Sequence, residues 1–378
     1  MADFFSDKNL LDSVESHGLS AEPTRLIGFL PGEGIGPEII NHSIRALDLV
    51  TARTGITFQY EFGGKIGKEA IAESGTTLTS GVSDFCDSVF KRKGCVVAGP
   101  GGARFVYEMR KQFDLYVKFA PIKPLRSCIG RSAVKADIQE NADILVVREN
   151  KGGLYFGEEE GDLDSVAVLK FGYYRHEVER ILAVAIKAAK QRRSKLCVVI
   201  KPGATKGIAV LWERVARDIV PADLELSFLE VDNAAYQLVV APGMFDVLIT
   251  SNLFGDILAD AAATHLGSRG VSWSANFGPE GAAVYQTGHG AAYDLVGKDK
   301  ANPMGQLMAT AMLLKESFAL TDIANAWVRA MDRTAAEIGV TQDLVFKGES
   351  AISTQHFVNG FLQYLDSELE QLSAVSGQ

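Results

Sequence analysis

The sequence predicts an α/β protein whose centre is a large, mostly parallel sheet with helices on both faces. Three observations predict it. Short, nearly continuous apolar runs of strand length recur along the chain, as strands buried on both faces require. Amphipathic stretches of helix length separate them, so strands and helices alternate instead of segregating. The chain has 378 residues, 47% of them apolar, enough for a sizeable core in two domains or one large α/β unit.

Taken in order, residues 1–24 show no clear period and are expected as a flexible N-terminal extension. The first strand falls at Leu26–Leu30 and is followed by GEGIGPE, residues 32–38. Pro37 suits the first turn of the amphipathic helix read over Pro37–Ala52. The glycine spacing is GxGxG, not GxGxxG, and no ribose-binding acid follows about 20 residues later, so a dinucleotide fingerprint is not claimed. Further strands are expected at Gly94–Ala98, Ile144–Val147, Leu196–Ile200, Leu224–Glu230 and Val247–Ile249. Helices are expected at His176–Arg192 and Leu211–Ile219. From Pro303 the pattern is helical through Leu320, over Ile323–Ile338 and over Gln355–Leu372, with Ala374–Gln378 frayed.

Net charge is −9, which argues against a nucleic-acid partner. Cys86, Cys95, Cys128 and Cys197 lack CxxC spacing and fit reduced thiols better than disulfides or a zinc site. No apolar run approaches the ~20 residues that span a bilayer. The acidic, polar N-terminus is unlike a leader peptide. A cytoplasmic enzyme with no membrane partner is the expectation.

The most informative stretch is SNLFGDILADAAATHLGS, residues 251–268. Asp256 and Asp260 stand four apart, one turn apart on one helix face, with Gly255 read as a loop-to-helix start. Packed between Leu253, Phe254, Ile257 and Leu258, two such carboxylates repel unless a cation or water separates them. Mg²⁺ or Mn²⁺ takes such oxygen ligands; a solvated acidic pair near a helix start is the alternative.

NLFGDILAD resembles the metal-binding segment of the β-decarboxylating dehydrogenases, the family of isopropylmalate, isocitrate, homoisocitrate and tartrate/malate enzymes. The resemblance runs from about Leu26 to the C-terminal helices, through several motifs in order. It implies a fold of the isopropylmalate dehydrogenase type, with the active site in a cleft between two subdomains. Residues 25–115 and 268–378 would form the larger, cofactor-binding one. Residues 116–267 would form the smaller, with the metal ligands and the dimer interface. The implied reaction is NAD-dependent oxidation of a 3-substituted malate at its hydroxyl carbon, followed by loss of CO₂.

The same resemblance implies roles for individual residues. Asp256 and Asp260 become metal ligands, with Asp232 of EVDNAAYQL supplied by a second subunit, so that a homodimer shares its active sites. Arg110 of MRKQFDLY and Arg148 of VVRENKGGLYFG become carboxylate-binding groups. Tyr155 becomes the catalytic tyrosine and Lys201 of VVIKPG the catalytic lysine, reaching across the dimer. The chemistry suits them: guanidinium forks grip carboxylates, a lysine of depressed pKa relays the hydroxyl proton, and a phenol protonates the enol carbon.

Departures fall where substrate is chosen. Relatives read Asn-Leu-Arg-Pro where this chain has Lys118-Phe119-Ala120-Pro121, so a forked arginine gives way to Ala120 and the point charge of Lys118. GGARFVYEMR offers Arg104, Val106 and Tyr107 in place of a leucine-rich patch, which suits an anionic or polar C3 substituent. Pro202-Gly203 stands where Ala-Asn is usual. In TGHGAAYDLVGKDKANP, His289 and Gly290 match the adenosine loop and Asn302 an adenine neighbour. Asp294 stands at the ribose position and disfavours a 2′-phosphate, so NAD is expected rather than NADP. Gln286 and Tyr293 depart from the usual acid and proline. Two other readings stay open: a non-catalytic regulatory subunit on this fold, and a metal-free Rossmann-type dehydrogenase. Within the first reading the substrate could also be isocitrate, homoisocitrate, tartrate, D-malate or phosphonomethylmalate.

Overall fold

The computed structural model describes residues 3–14, 24–162 and 164–376. Twelve strands are described: β1 Thr24–Leu30, β2 Thr57–Phe62, β3 Cys95–Ala98, β4 Val117–Ile122, β5 Ile144–Glu149, β6 Glu158–Glu160, β7 Val168–Lys170, β8 Lys195–Ile200, β9 Glu225–Glu230, β10 Val247–Thr250, β11 Trp273–Phe277 and β12 Ala283–Thr287. The α-helices are α1 Gly36–Thr54, α2 Gly67–Ser74, α3 Ser80–Lys91, α4 Phe105–Gln112, α5 Ala136–Gln139, α6 Arg175–Gln191, α7 Lys206–Ile219, α8 Val231–Val240, α9 Asn252–Ala262, α10 Met304–Glu316, α11 Thr321–Glu337 and α12 Thr354–Ser376.

Ten strands form one sheet in the order β2-β1-β3-β12-β11-β4-β5-β10-β8-β9, while β6 and β7 make a separate hairpin. β2, β1, β3 and β12 are mutually parallel, as are β5, β10, β8 and β9. The two blocks meet through antiparallel pairings of β12 with β11, β11 with β4, and β4 with β5. β1, β2, β3, β11 and β12 thus make one half of the sheet, and β4, β5, β8, β9 and β10 the other. Central β3, β5, β10 and β11 are buried along their whole length, whereas edge strands β2 and β9 alternate.

Helix α10 is buried all round, including Lys315 and Glu316 at its C-terminal end. Their partners correct the expectation of a flexible extension for residues 3–14. The Lys315 ammonium donates to the Lys8 carbonyl at 2.7 Å and to Glu316 Oε1 at 2.6 Å. Glu316 Oε2 accepts from the Leu10 amide at 2.6 Å. The Asn325 side chain bonds both backbone groups of Phe5, at 2.8 and 3.1 Å. Leu11 and Val14 are buried against the core, so the segment is held by apolar packing and by main-chain hydrogen bonds that no periodicity reveals. Thr24 begins β1, and the rest of the expected extension, residues 1–2 and 15–23, lies outside the described residues. The four cysteines are buried and unbridged, and no helix among the described residues is long and apolar enough to cross a membrane.

Candidate active site

Helix α9 begins at Asn252, not after Gly255, because Ser251 is the extended residue that precedes it. Gly255 therefore sits inside the helix. A Cβ there would lie 2.7 Å from Arg148 Cγ, so glycine is what lets the arginine lie against the helix. Arg148, at the end of β5, is buried and donates from Nε and Nη2 to Asn252 Oδ1 at 3.0 and 2.7 Å. Its Nη1 pairs with Asp256 Oδ1. The Tyr155 hydroxyl donates to the other Asp256 oxygen at 2.6 Å. Burial opposes ionisation of Asp256, but Arg148, Tyr155 and Lys118 outweigh it and hold its carboxyl below the usual range. Burial and the Asp256 charge push the Tyr155 phenol up, keeping it protonated. Asn252 escaped the sequence reading; its signal was only its place at the start of the acidic helix.

Helix α4 brings in the second cation. Arg110 is buried, and its Nε and Nη1 have no hydrogen-bond partner. Burial and the neighbouring Arg148 push its guanidinium pKa down to about 9. The Tyr107 ring centroid lies 5.4 Å from the Arg110 guanidinium, 5.5 Å from that of Arg104 and 5.1 Å from the Tyr155 ring. Arg104 is exposed and has no ion-pair partner among the described residues. On β4, Lys118 pairs in register with Arg148 on one side and Asn276 on the other. Burial, then Arg148 and Arg110, push the Lys118 ammonium down to about 7. Arg110, Arg148, Tyr155, Lys118 and Asp256 are thus gathered at one place.

Lys201 and Asp232 are not. The Lys201 ammonium sits 2.6 Å from Glu230 and 2.9 Å from Asp232, just past the ends of β8 and of its neighbour, the edge strand β9. Those two hydrogen bonds raise its pKa, the reverse of the depression expected for a proton relay. Asp260 is bonded to Arg269 at 2.5 Å. Among the described residues no group of three or more His, Cys, Asp or Glu side chains could hold a metal. Within one chain, Asp256 and Asp260 share a helix face but Asp232 does not join them.

The glycine-rich loop before α1 works by contact with the 287–303 loop. Gly34, at φ +60°, lies so close to the Ala291 carbonyl that a Cβ would sit 2.0 Å from it, and the Ile35 amide donates to that carbonyl at 2.9 Å. His289 donates from Nδ1 to the Gly290 carbonyl at 2.9 Å, and its buried Nε2 has no partner. Burial pushes its pKa down, so the ring is neutral. Asn302 bonds Asp343 at 3.0 Å, and Asp294 is exposed on a short turn. A cavity of about 450 Å³ lies between this loop and the residues before α4, with Lys118 also in its wall.

The sequence model of the isocitrate/isopropylmalate dehydrogenase family matches residues 26–360. The chain belongs to the isocitrate/isopropylmalate dehydrogenase family. It is 35% identical to a 3-isopropylmalate dehydrogenase of Shouchella clausii over 356 residues, 89% of this chain and 96% of that one. A Thermotoga maritima 3-isopropylmalate dehydrogenase is also 35% identical, over 87% of this chain and 95% of its own length. Among solved structures, isocitrate dehydrogenase from Methylococcus capsulatus superposes with a TM-score of 0.79 at 28% identity, covering 90% of this chain and 99% of its own. This member of the family is accordingly a decarboxylating dehydrogenase, an oxidoreductase that acts on a 3-substituted malate. Its N-terminal segment lies ahead of the family match, and its Lys118–Ala120 strand lies inside it.

Proposed function

We propose that this dehydrogenase uses NAD and a divalent cation to oxidise and decarboxylate a malate bearing an anionic or polar C3 substituent, in a cleft completed by a second copy of the chain. The observation that carries it is the cation cluster. Arg110 keeps two buried guanidinium nitrogens without partners beside Arg148 and Lys118. A buried donor without an acceptor costs about 1–3 kcal/mol, which a bound carboxylate relieves. Arg110 and Arg148 therefore orient the malate core, and Lys118 and Arg104 face the C3 substituent.

The residues fit the implied groups. Asp256 and Asp260 offer hard oxygen donors one helical turn apart, their side chains 42% and 49% exposed. A cation held there would polarise the carbonyl formed by oxidation. The neutral His289 ring with a free Nε2, and Asp294 beyond it, suit an adenosine without a 2′-phosphate. Lys201 and Asp232, bonded to each other and displaced from Asp256, are well arranged to enter a neighbouring cleft together. Next to them Tyr236, Met244 and Ile257 are half to two-thirds exposed on α8, the turn after it and α9, an apolar surface that a second copy would cover. In that assembly Lys201, released from Glu230 and Asp232 and desolvated so that its pKa falls, would accept the hydroxyl proton as hydride passes to bound NAD from the carbon that bears that hydroxyl. Tyr155, protonated and aligned by Asp256, then returns a proton to the carbon that has lost CO₂.

The test is steady-state turnover with NAD and Mg²⁺ or Mn²⁺ across isopropylmalate, isocitrate, homoisocitrate, malate, tartrate and phosphonomethylmalate. Metal-dependent NADH formation, strongest with a substituent carrying its own charge, is expected. No turnover of any malate-core compound sinks the reading.

A further inference from the structure

The cavity beside the His289 loop contains a cation that the reaction as described does not use. Besides Tyr293, its ionisable neighbours are Glu33, Lys68, Lys118 and His289. Three are already committed. Glu33 is fully buried, its carboxylate accepting from the Gly102 amide at 2.6 Å and the Glu69 amide at 2.9 Å. Lys118 belongs to the Arg110–Arg148 cluster. His289 is held neutral by burial.

Lys68 differs from them. It is exposed at the start of α2 and has no ion-pair partner among the described residues. Its ammonium stands 5.7 Å from the Tyr293 ring centroid, on the loop that carries His289 and Asp294. Its aliphatic stem lies against Gly102, where a Cβ would meet it at 3.2 Å, on the loop that leads into α4. The side chain thus spans from the adenosine loop to the loop that precedes Arg110. A dinucleotide laid through this cavity must carry its diphosphate, with two negative charges, between those same loops. The backbone there is rich in glycine and open to close approach, and Lys68 is the exposed cation among the described residues of the cavity wall.

We propose that Lys68 binds the diphosphate of the dinucleotide, with the Tyr293 ring holding its ammonium in place when the site is empty. The assignment rests on NAD being the cofactor, and titration calorimetry separates the two questions. The probes are NAD, ADP-ribose and adenosine, on the wild-type protein and on Lys68→Ala and Lys68→Arg. A charge-assisted contact corresponds to a loss of roughly 10-fold or more in affinity. Lys68→Ala is expected to lose that much for NAD and ADP-ribose and nothing for adenosine; Lys68→Arg should recover most of it. The ADP-ribose affinity of the wild type should fall with added salt more steeply than that of Lys68→Ala. Unchanged ADP-ribose affinity in Lys68→Ala, or an equal loss for adenosine, overturns the assignment while leaving the cofactor reading intact. A wild-type protein that binds neither NAD nor ADP-ribose overturns both.

Discussion

Glu316→Ala tests how the N-terminal segment is held. Glu316 and Lys315 are 1% and 3% exposed, an ion pair sealed inside the protein at the end of α10. The carboxylate also receives the Leu10 amide at 2.6 Å and the Leu11 amide at 3.3 Å. Removing one member of a buried pair leaves the other charge uncompensated, at a cost of about 3–5 kcal/mol. Lys315 keeps one remaining acceptor, the Lys8 carbonyl, but that carbonyl belongs to the segment being released. Against a stability of about 5–15 kcal/mol typical of folded domains, the loss is large. Urea unfolding at fixed protein concentration should show it, accompanied by faster proteolysis within residues 3–14. Lys315→Met combined with Glu316→Leu should cost less than Glu316→Ala alone, because no lone charge remains. A Glu316→Ala protein within about 0.5 kcal/mol of wild type would refute the reasoning.

Asp256→Asn should raise the Mg²⁺ concentration for half-maximal activity by at least about tenfold, as a charged ligand is replaced by a neutral one; unchanged metal dependence removes Asp256 from the metal site. Arg104→Ala should alter the ranking of kcat/KM among C3-substituted malates while leaving NAD affinity alone, and an unaltered ranking dismisses Arg104 as a selector. Burial raises the Glu149 carboxyl from 4.5 to about 7, although the Lys151 and Gly152 amides oppose the shift. Because the folded-state pKa lies above the unfolded one, its stabilising contribution is full below pH about 4.5 and is lost as pH rises through about 7. That contribution is roughly 3 kcal/mol at about 1.4 kcal/mol per unit. Glu149→Gln should flatten the stability profile across that window, and an identical slope in the variant would contradict the shift.

The parallel blocks were legible because β1, β3, β5, β8 and β10 are continuous apolar runs whose two faces both lie under helices. The centre of the sheet was not. β4 holds Lys118 and Pro121, and β11 and β12 hold Asn276 and Gln286, which hydrogen-bond each other at 3.3 Å. Lys118 and Gln286 line the cavity and Asn276 is buried beside them, so the strands nearest the chemistry fail the apolar test that finds the others. The motifs named Arg110, Arg148, Tyr155 and Asp256, and the fold gathers them. Pattern alone could not give the depth at which Arg110 is buried, the seating of Arg148 against Gly255 inside α9, or the Lys201–Glu230–Asp232 contact. Each depends on residues brought together from distant parts of the chain. Asn252 and Lys68 carry no recognisable spacing and emerge only from their neighbours.

The separation of Lys201 and Asp232 from Asp256 has an arithmetical consequence. If each cleft draws the first two from the neighbouring copy, then Lys201→Ala and Asp256→Asn damage a given site from opposite sides. Mixed and allowed to re-pair at random, at a Mg²⁺ concentration too low to support Asp256→Asn, equal amounts of the two proteins would form roughly half heterodimers. In each heterodimer one cleft combines the intact Asp256 of one copy with the intact Lys201 of the other, and its twin carries both lesions. Activity would then reappear at about a quarter of the wild-type level, from two proteins that separately have almost none.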